Sequence, residues 1–265
     1  MAAGDIPCMN CYLKLCAEFY DIDKPHPPAD ALEFYFGLAR QAKGLILEPM
    51  CGSGRFLIPL LEKGFDVIGS DASPHMLAAC REHLRSRKFA GRTDLRQQFL
   101  HELDISPNRD ASLVLIPSGS LQLVTDMDHV RESLRRIFDV LRPGGTFVFE
   151  SSIGKPKESA SWPWGGRWIT RPADGAKILI SWLGHYDAAT SINCNLHRYE
   201  LFKDGQLLAT EIEEFDMRQY SADELRSLLE QAGFAQVRMF ENFDPSKPAS
   251  DSSKDEIVIE CRKPA

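Results

Sequence analysis

Residues 45–77 read LILEPMCGSGRFLIPLLEKGFDVIGSDASPHML, and the order of apolar runs, glycines and carboxylates in this stretch decides the fold. Leu45-Ile46-Leu47 has strand character and runs into the carboxylate of Glu48. A turn containing Cys51-Gly52-Ser53-Gly54 follows, then a helical pattern with Phe56, Leu57, Leu60 and Leu61 on its apolar side. Gly64 stands where a left-handed residue ends that helix. Val67-Ile68-Gly69 begins a second strand, which ends on Asp71, and Ser73-Pro74 supplies an N-cap with proline at the first helical position. The unit is β-α-β, which implies a parallel sheet with a right-handed crossover.

In open α/β sheets, ligands sit beyond the carboxyl ends of the strands, where strand order reverses. Gly52 and Gly54 let the backbone approach a ligand with no Cβ in the way. Asp71 ends the next strand 23 positions after Glu48, where a carboxylate can accept both hydroxyls of a ribose. The unit therefore suits an adenosine-containing cofactor. A dinucleotide fold requires G-x-G-x-x-G/A, and the third small position falls on Leu57, so that pattern fails.

The string EPMCGSGR, residues 48–55, resembles the acid-x-G-x-G-x-G motif of class I S-adenosylmethionine (SAM)-dependent methyltransferases. Matched residue by residue, Glu48 is the motif acid, Gly52 and Gly54 are its second and third glycines, and Met50 replaces the first. LRPGGTFVFE at 141–150 and SADELRSLLEQAGF at 221–234 resemble two further recurrent strings of that family. The resemblance implies a cofactor site made by Glu48, Pro49, Met50, Cys51, Gly52, Gly54, Arg55, Asp71, Ala72, Met76, Leu100, Pro117 and Ser118. Within it, Arg55 would pair with the carboxylate of the methionine moiety and Met76 would pack against adenine. The family's acid after strand three falls here on Phe99-Leu100, which leaves adenine to backbone groups near Leu100 and His101. The loop after strand four, Pro117 to Gln122, lacks the N-P-P-Y-like string of enzymes that methylate nucleic-acid amino groups.

The expected fold is α/β: a Rossmann-like seven-stranded class I methyltransferase sheet with helices on both faces. Residues 1–44 form an N-terminal helical cap, with helices over 8–20 and 29–42. Residues 45–150 and 221–265 form the SAM-binding unit, and 151–220 an antiparallel β insert that serves as a lid or a dimer surface. In the core, strands are read at 95–100, 112–116, 146–150, 237–240 and 257–259, and amphipathic helices at 74–87, 128–141 and 221–232. The insert reads as three strands, 177–186, 191–202 and 206–217, with Asp204-Gly205 turning the last pair. Trp162, Trp164, Trp168 and Trp182, all the tryptophans, lie in it. Candidate substrate contacts are Tyr20, Ser118, Gln122, Trp164 and Trp168, and candidate catalytic groups are Tyr20 and His185, with His197 and Tyr199 as further acceptor-orienting possibilities.

The 265 residues carry a formal net charge of −7, which implies no overall basic surface for nucleic-acid phosphates. No apolar run approaches the roughly 20 residues that span a bilayer, and the N-terminus lacks a signal-peptide pattern, so a cytoplasmic protein without a membrane partner is expected. Seven cysteines, with one C-x-x-C at Cys8 and Cys11 and no second pair at zinc-like spacing, imply neither a disulfide framework nor a metal site. These readings converge on transfer of the SAM methyl group to an N or O atom of a small molecule by in-line displacement. Orienting donor and acceptor can supply up to roughly 7–11 kcal/mol of such a barrier. Two alternatives stay open: an RNA or protein methyltransferase, with Arg81, Arg85, Arg87, Lys88 and Arg92 as a basic face, and a SAM-binding protein without transferase activity. A homodimer is compatible with either.

Overall fold

Strand β1 (Ile46–Pro49) is buried along its whole length and pairs in parallel with β2 (Val67–Asp71) on one side and β4 (Ala111–Ile116) on the other. The structure, a computed structural model, describes residues 11–85, 87–107, 110–153, 161–250, 253 and 256–265. Successive residues of β1 face opposite sides, and this alternation builds two apolar layers. Leu47, Ile68, Val114 and Phe147 face helices α5 (Met127–Val140) and α6 (Ala222–Gln231). Ile46, Val67, Leu113 and Val148 face α2 (Ala29–Ala42) and α3 (Leu57–Glu62), where Tyr35, Phe36, Leu60 and Leu61 meet them.

The full sheet has seven strands in the order β11-β12-β5-β4-β1-β2-β3, where β3 is Thr93–Gln97, β5 Leu141–Ser152, β11 Ala235–Glu241 and β12 Glu256–Arg262. Strand β12 runs antiparallel to both neighbours, and the other pairings, from β5 to β3, are parallel. The chain moves outward from β1 to β2 and β3, then returns to β4 and moves the other way. The switch point therefore lies between β1 and β4, which is where a crevice opens in such sheets.

A second sheet contains β6 (Ser161–Thr170), β7 (Lys177–Asp187), β8 (Ile192–Lys203), β9 (Gln206–Glu214) and β10 (Met217–Arg218), all antiparallel. Helix α1 (Lys14–Asp23) docks on this sheet: Leu15, Cys16 and Phe19 pack against Ile178, Ile180 and Tyr199. Helix α1 has no side-chain cap of its own. Instead, Glu213 on β9 accepts from the backbone N–H groups of Tyr12 and Leu13 at 3.0 and 2.7 Å, and Glu211 accepts from Leu15 at 2.6 Å. Carboxylates from a distant strand thus satisfy donors that a helix start leaves open and complement its dipole.

Five details differ from the sequence reading, the first being helix α1, which spans Lys14–Asp23 rather than 8–20. Strand β3 stops at Gln97, and Leu100–Glu102 is a 3-10 turn. Strand β5 begins at Leu141 because 142–145 bulge within the strand: Ala111 pairs with Leu141 and Leu113 with Thr146. Strand β6 has no apolar alternation to announce it, and Gly165 in it makes room for the Trp182 ring, 2.5 Å from where a Cβ would stand. Strand β9 ends at Glu214 because Asp216 Oδ1 takes the Asn195 N–H at 2.9 Å, which interrupts the ladder before β10. Among the described residues no helix is long and apolar enough to cross a membrane.

Candidate functional site

A cavity of about 360 Å³ opens at the carboxyl ends of β1, β2, β3 and β4. Its floor is the turn after β1, where three residues take left-handed backbone angles: Met50 (φ +58°), Gly52 (φ +55°) and Gly54 (φ +89°). The glycines answer to different constraints. A Cβ on Gly54 would stand 2.8 Å from Cys80 Sγ and 3.1 Å from Ile58, so helix packing demands glycine there. A Cβ on Gly52 would meet only Met76 Sδ, at 3.9 Å, so that position keeps space open on the cavity side. Met50 takes a left-handed conformation where the motif it resembles has glycine, and bears strain on the order of 1–3 kcal/mol for a non-glycine residue.

The polar groups along the cavity are held in place by that turn. Asp71 is half-buried between β2 and α4 (Pro74–Arg85), with Oδ2 accepting from Gly52 N–H and Oδ1 from Ser73 N–H, each at 2.8 Å. Burial raises its pKa, and the two backbone donors counter part of that rise. Each oxygen keeps a lone pair for a further donor. Glu48 is only 2% exposed, its Oε2 has no partner, and burial pushes its carboxyl well above the usual range. A buried acceptor without a donor is costly, and a ligand's ammonium group fits it. Arg55 precedes α3, and its Nη1 donates to the Tyr20 hydroxyl at 3.2 Å and its Nε to His26 O at 3.0 Å.

Residues 11–13 cross the cavity as a strap. Ser73 Oγ donates to Tyr12 O at 2.7 Å, and the Tyr12 ring sits edge-on to Tyr20 and Phe215. At the β3 end, Gln98 Oε1 accepts from Asp104 N–H at 3.3 Å, which leaves Nε2 buried without a partner. Beside it, Phe99 stacks on His101 (5.4 Å, 20°) and His101 on His129 (3.9 Å, 6°). Burial and then His129 lower the pKa of His101. Asp126 Oδ1 caps α5 through Asp128 and His129 N–H, both at 2.9 Å. At the β4 end, Ser118 (φ +60°) and Gly119 (φ +66°) are both left-handed.

Of the residues expected at the cofactor, Glu48, Met50, Cys51, Gly52, Arg55 and Asp71 line the cavity, and so do Ala72, Met76, Leu100, Pro117 and Ser118. Pro49 and Gly54 lie behind it as strand and packing positions. Among the expected acceptor contacts, Tyr20 and Ser118 line it and three others do not. Gln122 is buried beneath, its Oε1 accepting from Ser152 N and Oγ and its Nε2 donating to Arg218 O. Trp164 and Trp168 are 59% and 60% exposed, over Arg198 and Lys177. Strand parity explains Trp168: its neighbour Ile169 pairs with Ile178 on the face that receives α1, so Trp168 stands on the opposite face.

His185 lines a separate, shallower depression with Leu183 and Cys194, which shares Glu214 and Asp216 with the main cavity. His197 is stacked on Phe215 at 4.8 Å and Tyr199 is buried against α1, so neither faces the cavity. Tyr12, Gln98, His129, Asp126, Glu214 and Asp216 line the cavity without having been anticipated. The cap spacing of Asp126 and His129 ahead of the amphipathic α5 could have signalled two of them. Among the described residues no group of three or more His, Cys, Asp or Glu could hold a metal ion, and Cys8 of the C-x-x-C lies outside those residues.

Residues 46–145 match a family described as a methyltransferase domain. With the strand order and the glycine turn, this match over residues 46–145 supports a class I SAM-dependent methyltransferase, with SAM as its cofactor. Over 241 residues it is 26% identical to "Putative methyltransferase YqeM" of Bacillus subtilis (strain 168), covering 90% of this chain and 92% of that one. Among the solved structures that share its fold are two whose chains align almost throughout. One is the sugar N-methyltransferase KedS8 from Streptoalloteichus sp ATCC 53650 (TM-score 0.74, 16% identity, 100% and 99% covered). The other is a S-adenosylmethionine-dependent methyltransferase from Clostridium acetobutylicum ATCC 824 (TM-score 0.72, 17% identity, 94% and 98% covered).

Proposed function

We propose that this enzyme methylates a nitrogen or oxygen atom of a small molecule and that an amine is the favoured acceptor. The observation that carries the reading is the charge of the cavity: beyond the cofactor carboxyls Glu48 and Asp71, it is lined by Asp126, Glu214 and Asp216, against the guanidinium of Arg55 among the described lining residues. Such a lining repels phosphates and attracts ammonium groups. KedS8, which shares the fold, is a sugar N-methyltransferase, which points to nitrogen as well.

SAM supplies a methyl group already activated on a sulfonium. In this reading Asp71 accepts the ribose hydroxyls, Glu48 takes the amino group of the methionine moiety, and Arg55 its carboxylate. The Phe99–His101–His129 stack walls the base, with Gln98 Nε2 as a donor to it. Ser118 and Tyr20 face the remaining space from β4 and α1. Burial raises the pKa of Tyr20 in spite of Arg55, so its hydroxyl stays protonated and orients the acceptor rather than taking its proton. The strap at Tyr12 keeps water out.

Calorimetric titration with SAM and with NAD tests the cofactor site, and a screen of amine and alcohol acceptors for methyl transfer tests the acceptor. Micromolar SAM binding without NAD binding, followed by turnover on amines, is expected. Turnover confined to RNA or protein acceptors would overturn the reading.

A further inference from the structure

The shallower depression beside the cavity holds about 440 Å³ that the reaction above does not use. It meets the main cavity at two carboxylates, Glu214 and Asp216, which line both. Leu183 on β7 is an odd step from Ile178 and Ile180, which receive α1, so it stands on the opposite face of the sheet. Leu196 on β8 pairs with Leu183 on one side and with Glu214 of β9 on the other, and the two leucines are 44% and 48% exposed. One row of side chains across three strands therefore passes from two leucines to an acid. Two inter-strand spacings make that row roughly 10 Å long. At the cavity end the second acid is held in place, Asp216 Oδ1 accepting from Asn195 N–H at 2.9 Å. The Asn195 side chain ties the same segment down, with Nδ2 donating to Asn193 O and Phe215 O, each at 3.0 Å. A Cβ on Gly184 would overlap Asn195 Oδ1, so glycine at 184 makes room for the side chain that fixes this junction.

We propose that this depression is a second subsite for the methyl acceptor: it takes the apolar arm of an amine whose nitrogen sits at Glu214 and Asp216, where depression and cavity join. The inference rests on the reading above in taking the acceptor to be an amine. Continuity with the cavity and the order of the lining select the occupant, which has to be cationic at one end and apolar at the other. An alkylamine is an ammonium at neutral pH, as a lysine side chain is, and two carboxylates attract it. Its hydrocarbon arm then covers Leu183 and Leu196, and removing that apolar surface from water favours binding in proportion to its area. A chain or ring system of roughly 10 Å spans the row from Glu214 to Leu183. Before transfer the ammonium gives one proton to water at the open junction. The nitrogen lone pair then forms the N–C bond as the S–C bond of the sulfonium breaks.

Calorimetric binding of propylamine, octylamine and octan-1-ol to the whole protein, with S-adenosylhomocysteine present, tests the subsite. A fully buried methylene is worth about fourfold in affinity, and half that free energy on an open face is worth about twofold. Octylamine, longer by five methylenes, should therefore bind about thirtyfold more tightly than propylamine. Replacing both leucines, Leu183→Thr with Leu196→Thr, keeps strand-forming residues at exposed positions and should cut that preference to within about threefold. Asp216→Asn, whose amide oxygen keeps the bond to Asn195, should weaken both amines by about tenfold. S-adenosylhomocysteine affinity shows that each variant is folded. Equal affinity for the two amines, no binding of either, or a preference that survives in the double leucine variant would overturn the proposal. So would a dimer that the leucine substitutions dissociate while amine binding stays unchanged, because the face would then belong to a second copy. If octan-1-ol binds as tightly as octylamine and loses affinity in the leucine variant, the apolar subsite stands and the amine reading fails. If S-adenosylhomocysteine fails to bind while octylamine keeps its leucine-dependent preference, the subsite stands and the cofactor reading fails.

Discussion

The turn after β1 and the strap over the cavity both shape the same site, yet they are built by different rules. In the turn, each constraint comes from within about 35 residues of sequence: Asp71 ties down Gly52, and Cys80 and Ile58 crowd Gly54. In the strap, Tyr12 and Leu13 are held by Glu213, some 200 residues away. Local constraints of the first kind leave a signature in residue types. The second kind leaves none, because any acidic residue on the correct face of β9 would serve.

Substitutions can break this contrast at either end. The largest effect is expected from Asp71→Ala, which removes an acceptor for two hydroxyls and also frees the N–H groups of Gly52 and Ser73. Two charge-assisted bonds at about 1.5–3 kcal/mol each predict a loss of SAM affinity above about 100-fold, read by calorimetry. Gly54→Ala comes next. Its φ of +89° and the 2.8 Å approach to Cys80 Sγ predict a loss of about 2–4 kcal/mol in denaturant unfolding.

The pH dependence of stability follows from Glu150, a buried carboxyl near the end of β5. A carboxyl whose folded pKa is raised stabilises the fold fully below its unfolded value near 4.5, and this contribution is lost as pH climbs to the folded value of about 7. The folded state binds more protons in that window, so stability falls with pH there. Glu150→Gln should remove the slope, worth up to about 3 kcal/mol, in melts recorded across the window. In the strap, Glu213→Ala orphans two backbone donors and should lower stability by about 1–3 kcal/mol, with faster hydrogen exchange over 12–16 and the β1 turn unchanged. The smallest effect is expected for Met50→Gly. Relief of the left-handed strain and the extra chain entropy of glycine oppose each other, leaving stability within about 1 kcal/mol of wild type.

What could be read from the sequence divides along the same line. The β-α-β unit, the left-handed Gly64, the Ser221 cap that accepts from Glu224 N–H, and helix α2 at 29–42 all follow from periodicity and capping residues, and each is present. The three family strings lie at the end of β1, at the start of β5 and on α6, and the seven-stranded sheet they imply is present. Strand β6 escaped because SWPWGGRWIT has neither alternation nor β-branched residues until Ile169. The tryptophans misled for a related reason: composition marks an aromatic face but not which side of a sheet it occupies. Trp168 is one residue from the inward-facing Ile169, and that single step sends it to solvent. His185 was displaced from the cavity in the same way, by the register of β7 against β8, where it pairs with Cys194. Glu214 and Asp216 reach the cavity only because β9 breaks at Phe215, a long-range consequence of the Asn195–Asp216 bond.

A crystal structure of the protein with S-adenosylhomocysteine tests the central claim most directly. The account predicts ribose hydroxyls on Asp71, the ligand's amino group within hydrogen-bond distance of Glu48 Oε2, and its base against Phe99 and His101. A ligand bound away from the β1 turn, or bound there with Glu48 Oε2 still unpartnered, would contradict it.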